Sequence, residues 1–426
     1  MKVFCKNVKA IVFVVFTCFA IMLTACSSLN TTQTASPTKT SPFVNRLTEI
    51  ESGLVRDVSA YGSCKQAVIT DFGKNQGFQL DVRWLDCDKD LNAEQQKMVY
   101  DGAPCITFNS NTIFPSMMPK DYDPATIIEN GKNPGLGVRS LHENGITGAG
   151  IGIAIIDTVL YTGHPEYKDQ LALYEEIHVT SDEGAQMHGS AVVSIAVGKN
   201  CGVAPGAKLY YWGGDLMKDA YSEGLAVAID RVIEVNKNLP QNEKIRVISI
   251  SKGFINRDEA GIKEFLAAVD RAKKANIFVV TTTTYQSYNW LNQDNNFGGL
   301  GKIDYTGDPD QLSTYTLGLR EQGQPNDYIS RLLVPMDART TADFTGDGYV
   351  FYSEAGNSWV TPYVAGLYAL ACQVNPDITP KKFWKAARDT ADKLTVKLPS
   401  SDGNDEQATY TLNYVVNPVK LIEAIK

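Results

Sequence analysis

Residues 150–157 read "GIGIAIID". Apolar residues follow one another here with no polar face between them. That pattern fits a strand covered on both sides, and the run ends in a carboxylate. Two further runs have the same character, "KIRVISIS" at 244–251 and "NIFVVTTTT" at 276–284. Between them "AGIKEFLAAVDRAKKAN", 260–276, places Ile262, Phe265, Leu266, Val269 and Ala272 on one stripe of a helix. Buried strands alternating with amphipathic helices predict an α/β fold, a mostly parallel sheet between two helical layers. Ligands bind such sheets at the carboxyl ends of strands. Asp157, Ser251 and the end of the Thr run fall there.

Further along, residues 354–370 read "EAGNSWVTPYVAGLYAL". Val364, Leu367, Tyr368 and Ala371 keep the spacing of one helical face. Pro362 suits a first helical turn, where a missing N–H costs nothing. Ala365 and Gly366 would let the helix pass close to its neighbours. Ser358 then lies at or just before a helix N-terminus, where free N–H groups favour developing negative charge. A plain helix cap is the alternative reading of this serine.

The chain has 426 residues, 43% hydrophobic and 21% charged, enough for two or three domains. A net charge of −8 without a Lys/Arg cluster argues against nucleic acid as a partner. Lys2, Lys6 and Lys9 precede an apolar run from Ala10 to Ala25, short for a membrane span and right for a signal peptide. The run ends in "LTAC", Leu23 to Cys26, which resembles the lipobox of bacterial lipoproteins. The resemblance implies lipidation of Cys26 and a mature chain on the extracytoplasmic face of a bacterial cell membrane. An ordinary signal peptide or an uncleaved anchor is the alternative. Residues 27–42, "SSLNTTQTASPTKTSP", read as a disordered tether. The expected division is signal peptide 1–25, tether 26–42, N-terminal accessory region or propeptide 43–130, and α/β domain 131–426.

With Cys26 set aside for lipidation, five cysteines remain after the leader: Cys64, Cys87, Cys105, Cys201 and Cys372. An odd number does not make a disulfide framework, although export allows one pair among the first three. Cys201 and Cys372 stand in apolar stretches and read as buried thiols. No Cys/His spacing suggests zinc.

The four histidines are His142, His164, His178 and His188. Only His188 opens a helix-like apolar segment, "HGSAVVSIAVG". Three blocks stand in order: "AIIDTVLYTGHPEY" (154–167), "MHGSAVVSIAVGKNCGVAPGAKLY" (187–210) and "GNSWVTPYVAGLYAL" (356–370). On these blocks the chain resembles the subtilisin-like serine peptidases, over about residues 135 to 426. The resemblance implies a serine endopeptidase with a peptide or protein substrate and no cofactor. It implies Asp157 as orienting carboxylate, His188 as general base and then acid, and Ser358 as nucleophile. It makes His164 structural and "YVVNPVKLIEA", 414–424, the last strand and helix.

The chain also departs from the family pattern. Trp359 follows the nucleophile where the family has Met, adding bulk that would alter access. The family's oxyanion Asn aligns with Tyr285. The Tyr285 hydroxyl, the Gln286 amide or Asn357 could each serve as the donor instead. The family's calcium-ligating Asp aligns with Glu166, which implies that its strong calcium site is absent. "DFTGDG", 343–348, is compatible with weak calcium binding, but Asp-Gly predicts a hairpin turn. Ser251, Lys252 and Gly253 stand where the family lines its substrate cleft, and would pair with an extended peptide by edge addition. Lys252 points to acidic or polar substrate side chains, or is a solvated rim residue. Against the enzyme stands a second reading, a lipoprotein that binds peptides without turning them over.

Overall fold

The "GIGIAIID" run folds into the strand Gly152–Asp157, and all six of its residues are buried. The computed structural model describes residues 43–45, 61–73, 80–103, 105–177, 184–214, 221–253, 261–282, 297–399 and 407–426. Cys26 with the leader and tether, His178, Tyr285 and Gln286 lie outside these residues. The main sheet runs in the order Phe43–Asn45, Leu171–Ile177, Lys208–Gly214, Gly152–Asp157, Ile245–Ile250, Phe278–Thr281. Its last five strands are parallel, and Phe43–Asn45 joins the edge antiparallel.

Helices cover the sheet in two pairs. Tyr221–Asn238 packs on Ile262–Lys274, which buries Ile262, Phe265, Val269 and Ala272 as its periodicity predicts. Met187–Val197 packs on Asn357–Val374. That contact is close: a Cβ on Gly366 would stand 2.6 Å from Val203 Cβ and 3.4 Å from the Ala196 carbonyl. The architecture is the expected α/β/α sandwich around a mostly parallel sheet. The chain ends as expected too, in the strand Gln407–Val415 and the helix Pro418–Ile425.

A four-stranded sheet joins the N-terminal region to the rest, in the order Arg339–Ala342, Tyr349–Tyr352, Ile106–Asn109, Leu80–Asp81. Phe108 lies opposite Phe351, their rings 5.3 Å apart. Val82, Leu85, Val99, Ile106 and Ile127 share one hydrophobic cluster with Tyr305, Ala338 and Phe351. The helix Pro124–Lys132 runs across residue 130, where the composition changes. Among the described residues of "FQLDVRWLDC", 78–87, Leu80–Asp81 forms a two-residue strand. After it the chain turns, with Leu85 N–H bonded to the Val82 carbonyl at 3.2 Å. "DFTGDG" is the turn of the hairpin Arg339–Ala342/Tyr349–Tyr352.

Candidate active site

Asp157 ends its strand at the carboxyl edge of the sheet and is fully buried. Its Oδ1 accepts hydrogen bonds from the Thr158 N–H (2.8 Å) and the Thr158 hydroxyl (3.3 Å). The same oxygen stands 2.7 Å from His188 Nδ1. Because the carboxylate accepts, Nδ1 carries the proton and Nε2 is left as the basic nitrogen. Asp157 Oδ2 is buried with no partner among the described residues.

His188 is the second residue of its helix. The helix is held to Asp157 by Gly189, whose N–H donates to Thr158 Oγ1 at 2.9 Å. Only glycine fits there, since a Cβ would stand 2.5 Å from the Tyr211 hydroxyl and 3.0 Å from the Thr158 carbonyl. Burial disfavours an imidazolium at 188, but the Asp157 charge and hydrogen bond more than offset it. The His188 pKa is therefore raised above 6.5.

Ser358 is the second residue of the helix Asn357–Val374. Pro362 is the sixth residue of that helix rather than part of its first turn. An ordinary residue at 362 would donate its N–H to the Ser358 carbonyl; proline cannot. The Ser251 hydroxyl donates to that carbonyl instead, at 2.6 Å. In return the Ser358 hydroxyl donates to the Ser251 carbonyl at 3.2 Å. Ile155 pairs with Ser249 in the sheet, so Asp157 and Ser251 both leave it at the same carboxyl edge. Removing the Ser251 hydroxyl orphans a carbonyl at the start of a largely buried helix. Ser251→Ala is expected to cost about 1–3 kcal/mol of stability, read as a shift of the denaturant midpoint at unchanged slope.

Two expectations about this helix are corrected. Ser358 does not cap it, since Gly356 is the N-cap residue and no side chain bonds there. Trp359 does not obstruct access. It is buried edge-on against Tyr352, ring centroids 4.7 Å apart, because residue 359 points toward the hairpin sheet. From the N-terminal region, Arg83 donates to the Tyr352 hydroxyl at 3.3 Å and stacks over its ring.

Among the candidate oxyanion donors, only Asn357 lies in the described residues. It is half-buried, with its Oδ1 unpartnered among them. The Ser358 N–H belongs to the first turn, where helix geometry supplies no acceptor. Lys252 and Gly253 follow the strand Ile245–Ile250 and are half-buried, and the Lys252 carbonyl accepts from Thr282 N–H at 3.3 Å.

The remaining described histidines are structural. His164 Nδ1 accepts from the Glu166 N–H at 3.0 Å, so Nε2 is the nitrogen that donates to the Gly348 carbonyl at 2.9 Å. Burial lowers its pKa. His142 Nε2 bonds the Val203 carbonyl at 2.8 Å. Glu166 braces the loop after the His188 helix. Its carboxylate accepts from Asn200 N (2.6 Å), Cys201 N (2.7 Å), Asn200 Nδ2 (3.0 Å) and the Tyr349 hydroxyl (2.7 Å). In "DFTGDG" Asp343 is likewise engaged, by Thr345, Trp84 and Asn109. Cys201 and Cys372 are buried thiols, as expected.

The sequence model of the Subtilase family, Peptidase_S8, matches residues 148–311. A thermostable alkaline protease of Halalkalibacterium halodurans is 26% identical over 280 residues, 63% of this chain and 69% of that protein. The serine protease AprX of Bacillus subtilis is 25% identical over 299 residues, 61% of this chain and 65% of its own. The chain thus spans about two thirds of the length of these relatives. Among solved structures, the prenylagaramide maturation protease PagA superposes with a TM-score of 0.45 at 19% identity. The match covers 68% of this chain and 98% of that one.

Proposed function

From the premise that the chain belongs to the subtilase family of serine peptidases, we propose that it is an exported, lipid-anchored serine endopeptidase. The observation that carries this reading is the 2.7 Å bond between buried Asp157 and His188 at the carboxyl edge of the sheet. It is supported by Ser358, tied to the neighbouring strand end through Ser251. Ser358 attacks the scissile carbonyl, His188 Nε2 takes its proton and returns it to the leaving amine, and Asp157 stabilises the imidazolium. Water then hydrolyses the acyl-enzyme by the same route. The first-turn N–H of Ser358 would hold the oxyanion, with Tyr285, Gln286 or Asn357 as a further donor. An extended substrate pairs along Ser251, Lys252 and Gly253.

Cys26 carries the lipid and residues 27–42 form the tether. No helix of the described residues is long and apolar enough to cross a membrane. Residues 61–130 are retained in the mature enzyme rather than removed, because stripping them would uncover Phe351 and take away the arginine that holds Tyr352 against Trp359.

The second reading, peptide binding without turnover, draws on one observation: the Ser358 hydroxyl donates to Ser251 and not to His188. Unliganded sites often hold such bonds slack, so this does not decide the matter. A fluorophosphonate probe does. The full chain is expected to be labelled covalently, and Ser358→Ala to stay unlabelled. A folded wild-type chain that takes no label would leave the binding reading standing.

A further inference from the structure

Arg320 lies on the chain leaving the strand Tyr315–Leu317, far in sequence from the nucleophile, yet the fold brings it to the same loop. Its Nε donates to Glu354, four residues before Ser358. A Cβ on Gly356 would stand 3.8 Å from Arg320 Nη1. Asp337 fixes the two segments to one another, accepting from Leu319 N–H with one oxygen and from Ala355 N–H with the other, both at 2.7 Å. Glu354 is buried at 1% exposure, whereas the Arg320 side chain is 42% exposed. The guanidinium is therefore anchored at Nε on a side chain that is itself well exposed. Among the described residues neither Nη donates to a protein acceptor.

We propose that Arg320 is a specificity residue of the peptidase site, and that its two open Nη donors receive the carboxylate of a substrate residue next to the scissile bond. The proposal rests on Ser358 being the nucleophile. The placement fits, because Nη1 lies beside Gly356, two residues before Ser358, and one residue of extended substrate spans about 3.5 Å. The chemistry fits too. A planar guanidinium held at Nε presents two parallel N–H groups, the geometry that takes a carboxylate in two bonds. Glu354 engages the guanidinium at Nε alone, and burial pushes Asp337, the other acid that feels Arg320, up to about 7, so it carries reduced negative charge near neutrality.

The test uses the full chain and matched peptides carrying Asp or Glu, Gln, or Lys on either side of the cleaved bond. Wild type is expected to prefer the acidic peptide over its Gln counterpart by about tenfold or more in kcat/KM, the scale of a charge-assisted hydrogen bond. Arg320→Gln is expected to bring that ratio close to one, and Arg320→Lys to restore part of it. A wild-type enzyme with no acidic preference would overturn the assignment without help from any variant. So would an Arg320→Gln enzyme that slows on all peptides alike, which is what a bracing role alone would give. The serine-peptidase reading fails differently, through a wild-type chain that is not labelled by fluorophosphonate and cleaves nothing. That result would overturn both.

Discussion

Ser358→Ala is expected to lower kcat for peptide hydrolysis by a factor on the order of 10⁶, the scale seen when the serine or histidine of a subtilisin triad is removed. His188→Ala should lose about as much. The double variant should lose little more than either alone, because nucleophile and base act as one unit and their contributions do not add. Folding should barely register the serine change. The Ser358 hydroxyl makes one hydrogen bond, long at 3.2 Å beside the 2.6 Å bond that the Ser251 hydroxyl donates, and its loss leaves no buried donor behind. The measurement sets kinetics at protein concentrations fixed by absorbance beside denaturation midpoints for wild type and the three variants. Losses that simply multiply in the double variant would mean that Ser358 and His188 do not act in one reaction step, and the proposed mechanism would fall.

Much of this was legible in the sequence because it depended on patterns with a single physical reading. The run at 150–157 has no polar face, so it belongs in a sheet covered on both sides, and its carboxylate had to emerge at the carboxyl edge. Gly366 in a helical stripe signalled the close helix contact that Val203 and Ala196 make. Other features depend on which segments meet, and no local pattern carries that. Trp359 looked like an obstruction because its partner Tyr352 and the Arg83 that holds it come from elsewhere in the chain. Arg320 was invisible for the same reason: its place beside Gly356 is set by Asp337, which ties together two loops that sequence alone keeps apart. Pro362 is the instructive middle case. Its missing N–H could have been traced to an orphaned carbonyl at Ser358, and so to the need for a donor. Only the structure identifies that donor as Ser251.

Asp157→Asn should separate charge from geometry, because this pocket is shaped to accept the amide. Oδ1 receives both the N–H and the hydroxyl of Thr158, whereas Oδ2 has no partner among the described residues. The amide oxygen will therefore take the Oδ1 place, its NH₂ the empty one, and His188 will keep its Nδ1 proton. What disappears is the negative charge. The rate is expected to fall by less than the factor on the order of 10⁴ that such a substitution costs where it also leaves the histidine in the wrong tautomer. The pH profile gives the sharper reading. In wild type the Asp157 charge and bond hold the His188 pKa above 6.5, and activity appears only as pH rises through that raised value. In the variant burial is left as the dominant influence and it lowers the pKa, so the acid limb of kcat/KM should move to below 6.5. Stability follows with the same sign. A raised histidine pKa stabilises the folded chain fully below 6.5, and that contribution is lost as pH climbs through the folded value. The stability gap between wild type and Asp157→Asn should thus be widest in acid and shrink toward alkaline pH. An acid limb that stays in place when the carboxylate is removed would show that His188 is not the group being titrated, and would take the general base away from this residue.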